Sequence, residues 1–235
     1  MSAPAPRRAP GALLGAALVA LCAGGGFLAY RLTRPERPVL YPDPAAALPA
    51  QRDGPAVPTR TIPEELPPIA LPALGGAPTT LQAFRGKLLV VNFWATWCAP
   101  CRREIPLLQK LGREHAKDGV EIVGIAVDHP KDVAKYAAGA HIAYPILVGE
   151  QGGLEMVTAL GMDTVLPFSV FADRSGHIVT LKIGELHSEE AEFILARMAD
   201  LDQGRLGLAA AREQISAGIA QLSAGRAAAA GSRPN

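Results

Sequence analysis

The stretch LLVVNFWATWCAPCRREIP, residues 88–106, decides the fold. Leu88 to Ala95 is a continuous apolar run rich in valine with Phe93 and Trp94. Such a run reads as a central strand buried on both faces. Thr96, Trp97 and then Cys98-Ala99-Pro100-Cys101 follow at once, and from Arg102 the pattern turns helical. Over RREIPLLQKLGREHAK, residues 102–117, Ile105, Leu107, Leu108 and Leu111 form an apolar stripe, with a kink expected at Pro106. Two cysteines therefore sit where a buried strand hands over to a helix.

Working outward, VEIVGIAVD (residues 120–128) reads as a second strand, Pro130 to Ala138 as a short helix, and YPILV (144–148) as a short strand. Leu154 to Leu160 supplies another helical turn or two. After Leu166-Pro167, FSVFA makes a strand, Asp173-Arg174-Ser175-Gly176 a turn, and HIVTLKI its hairpin partner. Ser188 is placed to cap a last helix running to about Leu201, with Glu189 and Glu190 against its N-terminal dipole. Upstream, IALPALGG and APTTLQAF read as a small hairpin laid on the sheet edge. The order predicts an α/β domain over residues 62–201, a central mixed sheet flanked by helices.

The ends differ in kind. Residues 1–10 form a short segment, and Gly11 to Tyr30 is uncharged for twenty residues. As a helix this run would be roughly 30 Å long, the thickness of a bilayer core. It reads as a single transmembrane anchor; a cleaved signal peptide is the other reading, because Ala and Gly near Ala20 to Gly26 suit a peptidase. Lipoprotein processing at Cys22 is disfavoured by the bulky Leu21 before it. Residues 31–61 are proline-rich and read as an extended spacer. Residues 202–235, rich in alanine and glycine, are expected to extend the last helix and then fray. A net charge of +1 over 235 residues offers no electrostatic footprint for nucleic acid.

Chemistry concentrates at the cysteines. At a helix N-terminus, unpaired backbone N–H groups and the positive dipole end favour thiolate over thiol, so Cys98 is the candidate nucleophile. Cys101, one turn in, can attack the resulting mixed disulfide and release the product. A zinc site would need about four ligands, whereas the third cysteine, Cys22, lies in the apolar N-terminal run. A purely structural bridge over two residues closes too small a loop to stabilise much. The histidines at 115, 129, 141, 177 and 187 have no ligand spacing. No metal and no cofactor beyond the cysteine pair is expected, and Trp94 reads as core.

VVNFWATWCAPCRREIP resembles the thioredoxin superfamily, and most closely its membrane-anchored TlpA/ResA-like thiol–disulfide oxidoreductases. The likeness covers about residues 62–201, with Val127 to Leu160 resembling the helix-containing insertion of that branch. It implies a thioredoxin-like fold in the periplasm, tethered to the bacterial inner membrane, exchanging disulfides with client proteins during cytochrome c or oxidase maturation. The reductase direction is favoured, which implies a transmembrane thiol electron donor of the DsbD/CcdA type. By the same resemblance Cys98 and Cys101 are the redox-active disulfide and Trp97 is the flanking tryptophan. Pro167 matches the cis-proline that presents backbone to substrate, an ordinary trans proline at a strand start being the alternative. Leu166 before it is a substrate-contacting position. Asn92 stands where thioredoxins carry a buried aspartate, while Glu104 matches a glutamate of this branch. Glu104 then has two readings: a catalytic proton relay for the Cys101 thiol, or a solvent-facing carboxylate paired with arginines such as Arg103. Two functions of other classes stay open: a periplasmic copper chaperone using both thiolates, and a non-catalytic client-binding module.

Overall fold

The computed structural model describes residues 62–163 and 165–231. The expected anchor at 11–30 and spacer at 31–61 lie outside these residues. Among the described residues no helix is long and apolar enough to cross a membrane.

The apolar run forms strand β3 (Leu88–Trp94), and every one of its residues is buried. A short antiparallel pair precedes it, β1 (Leu71–Pro72) and β2 (Pro78–Thr79), followed by a 3-10 turn at Leu81–Phe84. After β3 come helix α1 (Ala99–Glu114), β4 (Val120–Ala126), α2 (Pro130–Gly139), β5 (Ile146–Val148) and α3 (Glu150–Ala159). The hairpin β6 (Phe168–Ala172) and β7 (Ile178–Ile183) leads to helices α4 (Ser188–Asp202) and α5 (Leu208–Gly231). The main sheet has the order β5-β4-β3-β6-β7. In it β3 is parallel to β4, with Asn92 opposite Gly124, and antiparallel to β6, with Asn92 opposite Ser169.

Because side chains alternate along a strand, β3 feeds two cores. Leu89, Val91 and Phe93 pack with Met156 and Val157 of α3, and Phe93 stacks on Phe168 with ring centroids 4.3 Å apart. Leu88 and Val90 pack with Leu108 and Leu111 of α1, Ile194 and Met198 of α4, and Ile215 of α5. Asn92 and Trp94 belong to this second face by parity, so one polar residue of a buried strand points toward α1.

Three expectations need correction. Helix α3 starts four residues earlier than Leu154, through Gly152 and Gly153, because those glycines lie close against Leu71 and Val127. Burial there outweighs weak helix propensity. Helix α4 takes His187 as its N-cap residue rather than Ser188, and Glu190 receives the His187 N–H at 3.2 Å. Beyond Gly204, at φ +70°, the chain turns back instead of extending α4. Helix α5 then runs antiparallel to α4, since Gln214 meets Arg197 and Arg226 meets Glu189 and Glu190. Gly218 faces the Phe193 ring, where a Cβ would collide, and this allows the close approach.

Ala211 and Ile215 of α5 are fully buried. Ile215→Ala should lower unfolding free energy by about 2–5 kcal/mol in a urea titration. A loss below about 0.5 kcal/mol, as for an exposed site, would mean that α5 is not part of the core.

Candidate active site at the β3–α1 junction

Cys98 is the N-cap residue of α1, with extended backbone (φ −81°, ψ 104°), and its Sγ accepts the Cys101 N–H at 3.2 Å. Its own carbonyl accepts the Arg102 N–H. Pro100 falls in the first turn, where a missing N–H costs nothing. The two cysteines form a disulfide with Cα atoms 5.3 Å apart. Cys98 keeps 5% of its surface exposed and Cys101 none, so the pair is asymmetric: one sulfur at the rim, the other beneath it. Trp97 is 68% exposed beside them. The approach to the helix is tied down by Asp128, just past β4. Its Oδ2 accepts the Thr96 N–H at 2.8 Å and the Thr96 hydroxyl at 2.6 Å. Burial pushes the Asp128 carboxyl up, but the Thr96 donors and the His129 N–H outweigh it and hold the group below the usual carboxylate range.

Glu104, one turn beyond Cys101, is 2% exposed. Its Oε1 accepts Asn92 Nδ2 at 2.7 Å and its Oε2 accepts the Leu186 N–H at 2.7 Å. The solvent-facing alternative is thereby excluded: Arg103 points outward and pairs instead with Glu185. Burial raises the Glu104 pKa to about 7 against the two hydrogen bonds, which lower it. Asn92 also donates to Ser169 Oγ at 3.1 Å, while its Oδ1 has no hydrogen-bond partner among the described residues. An amide has a donor end and an acceptor end. Rotated, Asn92 would accept from a protonated Glu104 as readily as it now donates to the carboxylate. A neutral neighbour of this kind lets the carboxyl titrate near neutrality, where an aspartate would force a second charge into the same space. Gly124 beside Asn92 leaves room for the Trp94 indole and the Tyr144 ring.

The Leu166–Pro167 peptide bond is cis. Pro167 is buried, Leu166 is half-buried against the cluster that contains Cys98 and Cys101, and Val165, and Ile183 opposite Phe168 in the hairpin, are exposed. The Pro167 carbonyl accepts the Gly184 N–H at 2.9 Å, so the loop after β7 is tied to the proline as well as to Glu104. The structure thus brings Trp97, Cys98, Cys101, Glu104, Leu166 and Pro167 to one end of the sheet. Sequence reasoning missed Asp128 and Lys182, and saw Glu190 only as a partner of the helix dipole rather than as a buried carboxylate paired with Lys182 and Arg226. Each is a charged residue inside an otherwise apolar stretch or at a helix start, which is the signal that could have flagged them. The histidines are dispersed, His115 beside Asp118 and Glu192, and His177 beside Asp173. Among the described residues no group of three or more His, Cys, Asp or Glu side chains could hold a metal ion.

Residues 62–181 match the AhpC/TSA family. The thiol-disulfide oxidoreductase ResA of Geobacillus thermodenitrificans (strain NG80-2) is 34% identical over 125 residues, which cover 53% of this chain and 70% of that protein. The thioredoxin-like protein YneN of Bacillus subtilis (strain 168) is 32% identical over 133 residues, covering 55% and 75%. A crystal structure of a thiol:disulfide interchange protein of the thioredoxin family from Chlorobium tepidum TLS is similar with a TM-score of 0.52 and 27% identity. It covers 59% of this chain and 98% of that one. The family match stops at Leu181, before the 184–187 loop, α4 and α5.

A buried carboxyl raised to about 7 from 4.5 leaves the folded state holding more protons than the unfolded chain between those values. Its contribution is therefore present below about pH 4.5 and lost as pH rises through about 7. Wild type should lose about 3 kcal/mol of stability across that window relative to Glu104→Gln, read from urea titrations at several pH values. Parallel pH dependences for the two proteins would contradict a titrating Glu104.

Proposed function

This chain belongs to the AhpC/TSA family as a thioredoxin-like thiol–disulfide oxidoreductase, and from that premise we propose that it reduces disulfides of client proteins outside the cytoplasm, tethered by residues 11–30. The observation that carries the reading is the pairing of a rim sulfur at a helix N-cap with a buried sulfur one turn from a carboxyl that titrates near neutrality.

In the reduced protein the Cys98 thiolate attacks a client sulfur. A mixed disulfide forms, the client S–S bond breaks, and the first client sulfur leaves as thiolate and takes a proton from water. Cys101 gives its proton to the Glu104 carboxylate, and its thiolate attacks Cys98 Sγ. The second client thiolate departs, the Cys98–Cys101 disulfide closes, and two electrons have passed to the client. Trp97 and Leu166, with the turn made by the cis Leu166–Pro167 bond, supply the surface on which an extended client segment lies. The dithiol must then be regenerated, and a transmembrane thiol carrier of the DsbD/CcdA type fits the direction proposed. A role in cytochrome c maturation is consistent with a reductant working where oxidation prevails. No cofactor beyond the cysteine pair is needed by this cycle.

Redox titration against defined thiol buffers tests the direction. A potential near that of thioredoxin, about −270 mV, supports a reductant, and one near about −120 mV reverses the assignment. Cys98→Ser should abolish turnover with a disulfide client, while Cys101→Ser should accumulate the mixed disulfide. Glu104→Gln should slow reduction about 100-fold at pH 8 and remove the rise in rate through about pH 7. An unchanged pH profile would take Glu104 out of the mechanism.

A further inference from the structure

The loop that donates the Leu186 N–H to Glu104 is held from behind by charges that no part of the redox cycle uses. Lys182, at the end of β7, is buried, and its Nζ donates to the Ile183 carbonyl at 2.9 Å and the Glu185 carbonyl at 3.2 Å. The same ammonium lies 3.5 Å from Glu190, whose side chain is fully buried. Glu190 Oε2 accepts the His187 N–H, and Oε1 accepts Arg226 Nη2 at 2.5 Å and the Ser223 hydroxyl at 3.2 Å. Arg226 also reaches Glu189 at 3.1 Å. Arg226 and Ser223 belong to α5, which lies beyond the family match. We propose that α5 acts as a positioning helix for the active site: Arg226 anchors Glu190, Glu190 anchors Lys182 and the His187 amide, and these fix the 184–187 loop that binds the Glu104 carboxylate.

The physical case rests on continuity and burial. A carboxylate with no exposed side-chain surface stays ionised only if its donors are in place. Burial raises Glu190, and Arg226, the His187 N–H and Lys182 outweigh it to hold the carboxyl below the usual range. Without Arg226 the Lys182 ammonium is the remaining cation for that charge, and it is drawn off the Ile183 and Glu185 carbonyls. The loop then loses its inner support, although Arg103 still grips Glu185 from α1 and Gly184 still donates to Pro167. Because the loop touches both Glu104 and the cis-proline, one anchor on α5 bears on both. The groups that face Glu104 are Asn92 from β3, Tyr144 ahead of β5, Lys182 from β7, and Glu185 and the Leu186 N–H from the loop, with Cys101 three residues before it on its own helix. Of these, the Leu186 N–H, Asn92 and Lys182 favour the carboxylate, and the Leu186 N–H and Lys182 are the two that α5 positions.

The proposal deepens the proton-relay reading and rests on it for its functional weight, but its test does not need turnover. In the full-length oxidised protein, with 13C-labelled glutamate and Glu104 assigned by comparison with Glu104→Gln, the Glu104 carboxyl is titrated by NMR. Arg226→Gln should move the midpoint upward by about one pH unit, the scale of one lost hydrogen bond to a charged acceptor. Arg226→Lys should recover part of the shift. Ser223→Ala, a milder change that retains the cation, should move it slightly upward. Arg197→Gln, which breaks the α4–α5 link at Gln214 far along the helices, should leave it in place. An unmoved midpoint in folded Arg226→Gln and in Ser223→Ala, or an equal shift in Arg197→Gln, overturns the proposal. If instead Glu104→Gln leaves the pH profile of reduction unchanged while Arg226→Gln shifts the midpoint, the relay fails and the positioning stands.

Discussion

Everything at the active end depends on one short contact: the backbone N–H of Cys101 directed at the sulfur of Cys98. That contact exists because β3 ends and α1 begins within four residues, so that an N-cap position normally filled by an oxygen is filled by sulfur. The helix needs a partner for its first amides, and the sulfur gains stabilisation as an anion from those amides and from the helix dipole. Structure and chemistry therefore pull the same way. The handover is braced on the far side by Asp128, which binds Thr96 through both backbone and hydroxyl. Loosening that carboxylate would let the strand end wander and with it the sulfur.

Beneath the pair lies a second arrangement with the opposite energetic sign. Glu104 is buried where burial disfavours its charged form, and the chain tolerates this by giving it two donors and no formal cation in direct contact. A lysine or arginine against the carboxylate would keep it ionised and useless as a proton acceptor of adjustable state. Asn92 and a backbone amide stabilise it less, leaving the pKa near 7. The stability forgone is the cost of a group that changes charge at working pH. The cations of this region stand one step back. Lys182 touches carbonyls of the loop, and Arg226 reaches Glu190.

The fold was largely legible because its signals are local. The run from Leu88 to Ala95, the strand-like VEIVGIAVD and the FSVFA–HIVTLKI hairpin each carry their own periodicity, and the structure forms β3, β4, β6 and β7 there. The cysteine pair was legible for the same reason. Glu104 was not, since helical spacing places it on the face of Cys101 without saying whether that face is covered. The answer lies in Leu186, 82 residues away. The early start of α3 was hidden by Gly152 and Gly153, whose low propensity misleads unless Leu71 and Val127 are known to press on them. Helix α5 was hidden by composition, because alanine and glycine look like fraying until Ile215 is seen to pack with Val179 of β7 and with α4, and Arg226 to meet Glu190 of α4. In each case the deciding partner is distant in sequence, and no single window contains it.

The account stands most directly on the state of the Cys98 sulfur in the reduced protein. Alkylation of the reduced full-length chain with a small haloacetamide, followed residue by residue across pH, measures it. The account predicts that Cys98 reacts first and that its rate falls away at a pH well below the ordinary thiol value of about 8.5, with Cys101 protected. Reaction of Cys98 with a midpoint at or above about 8.5, or earlier reaction at Cys101, would contradict it.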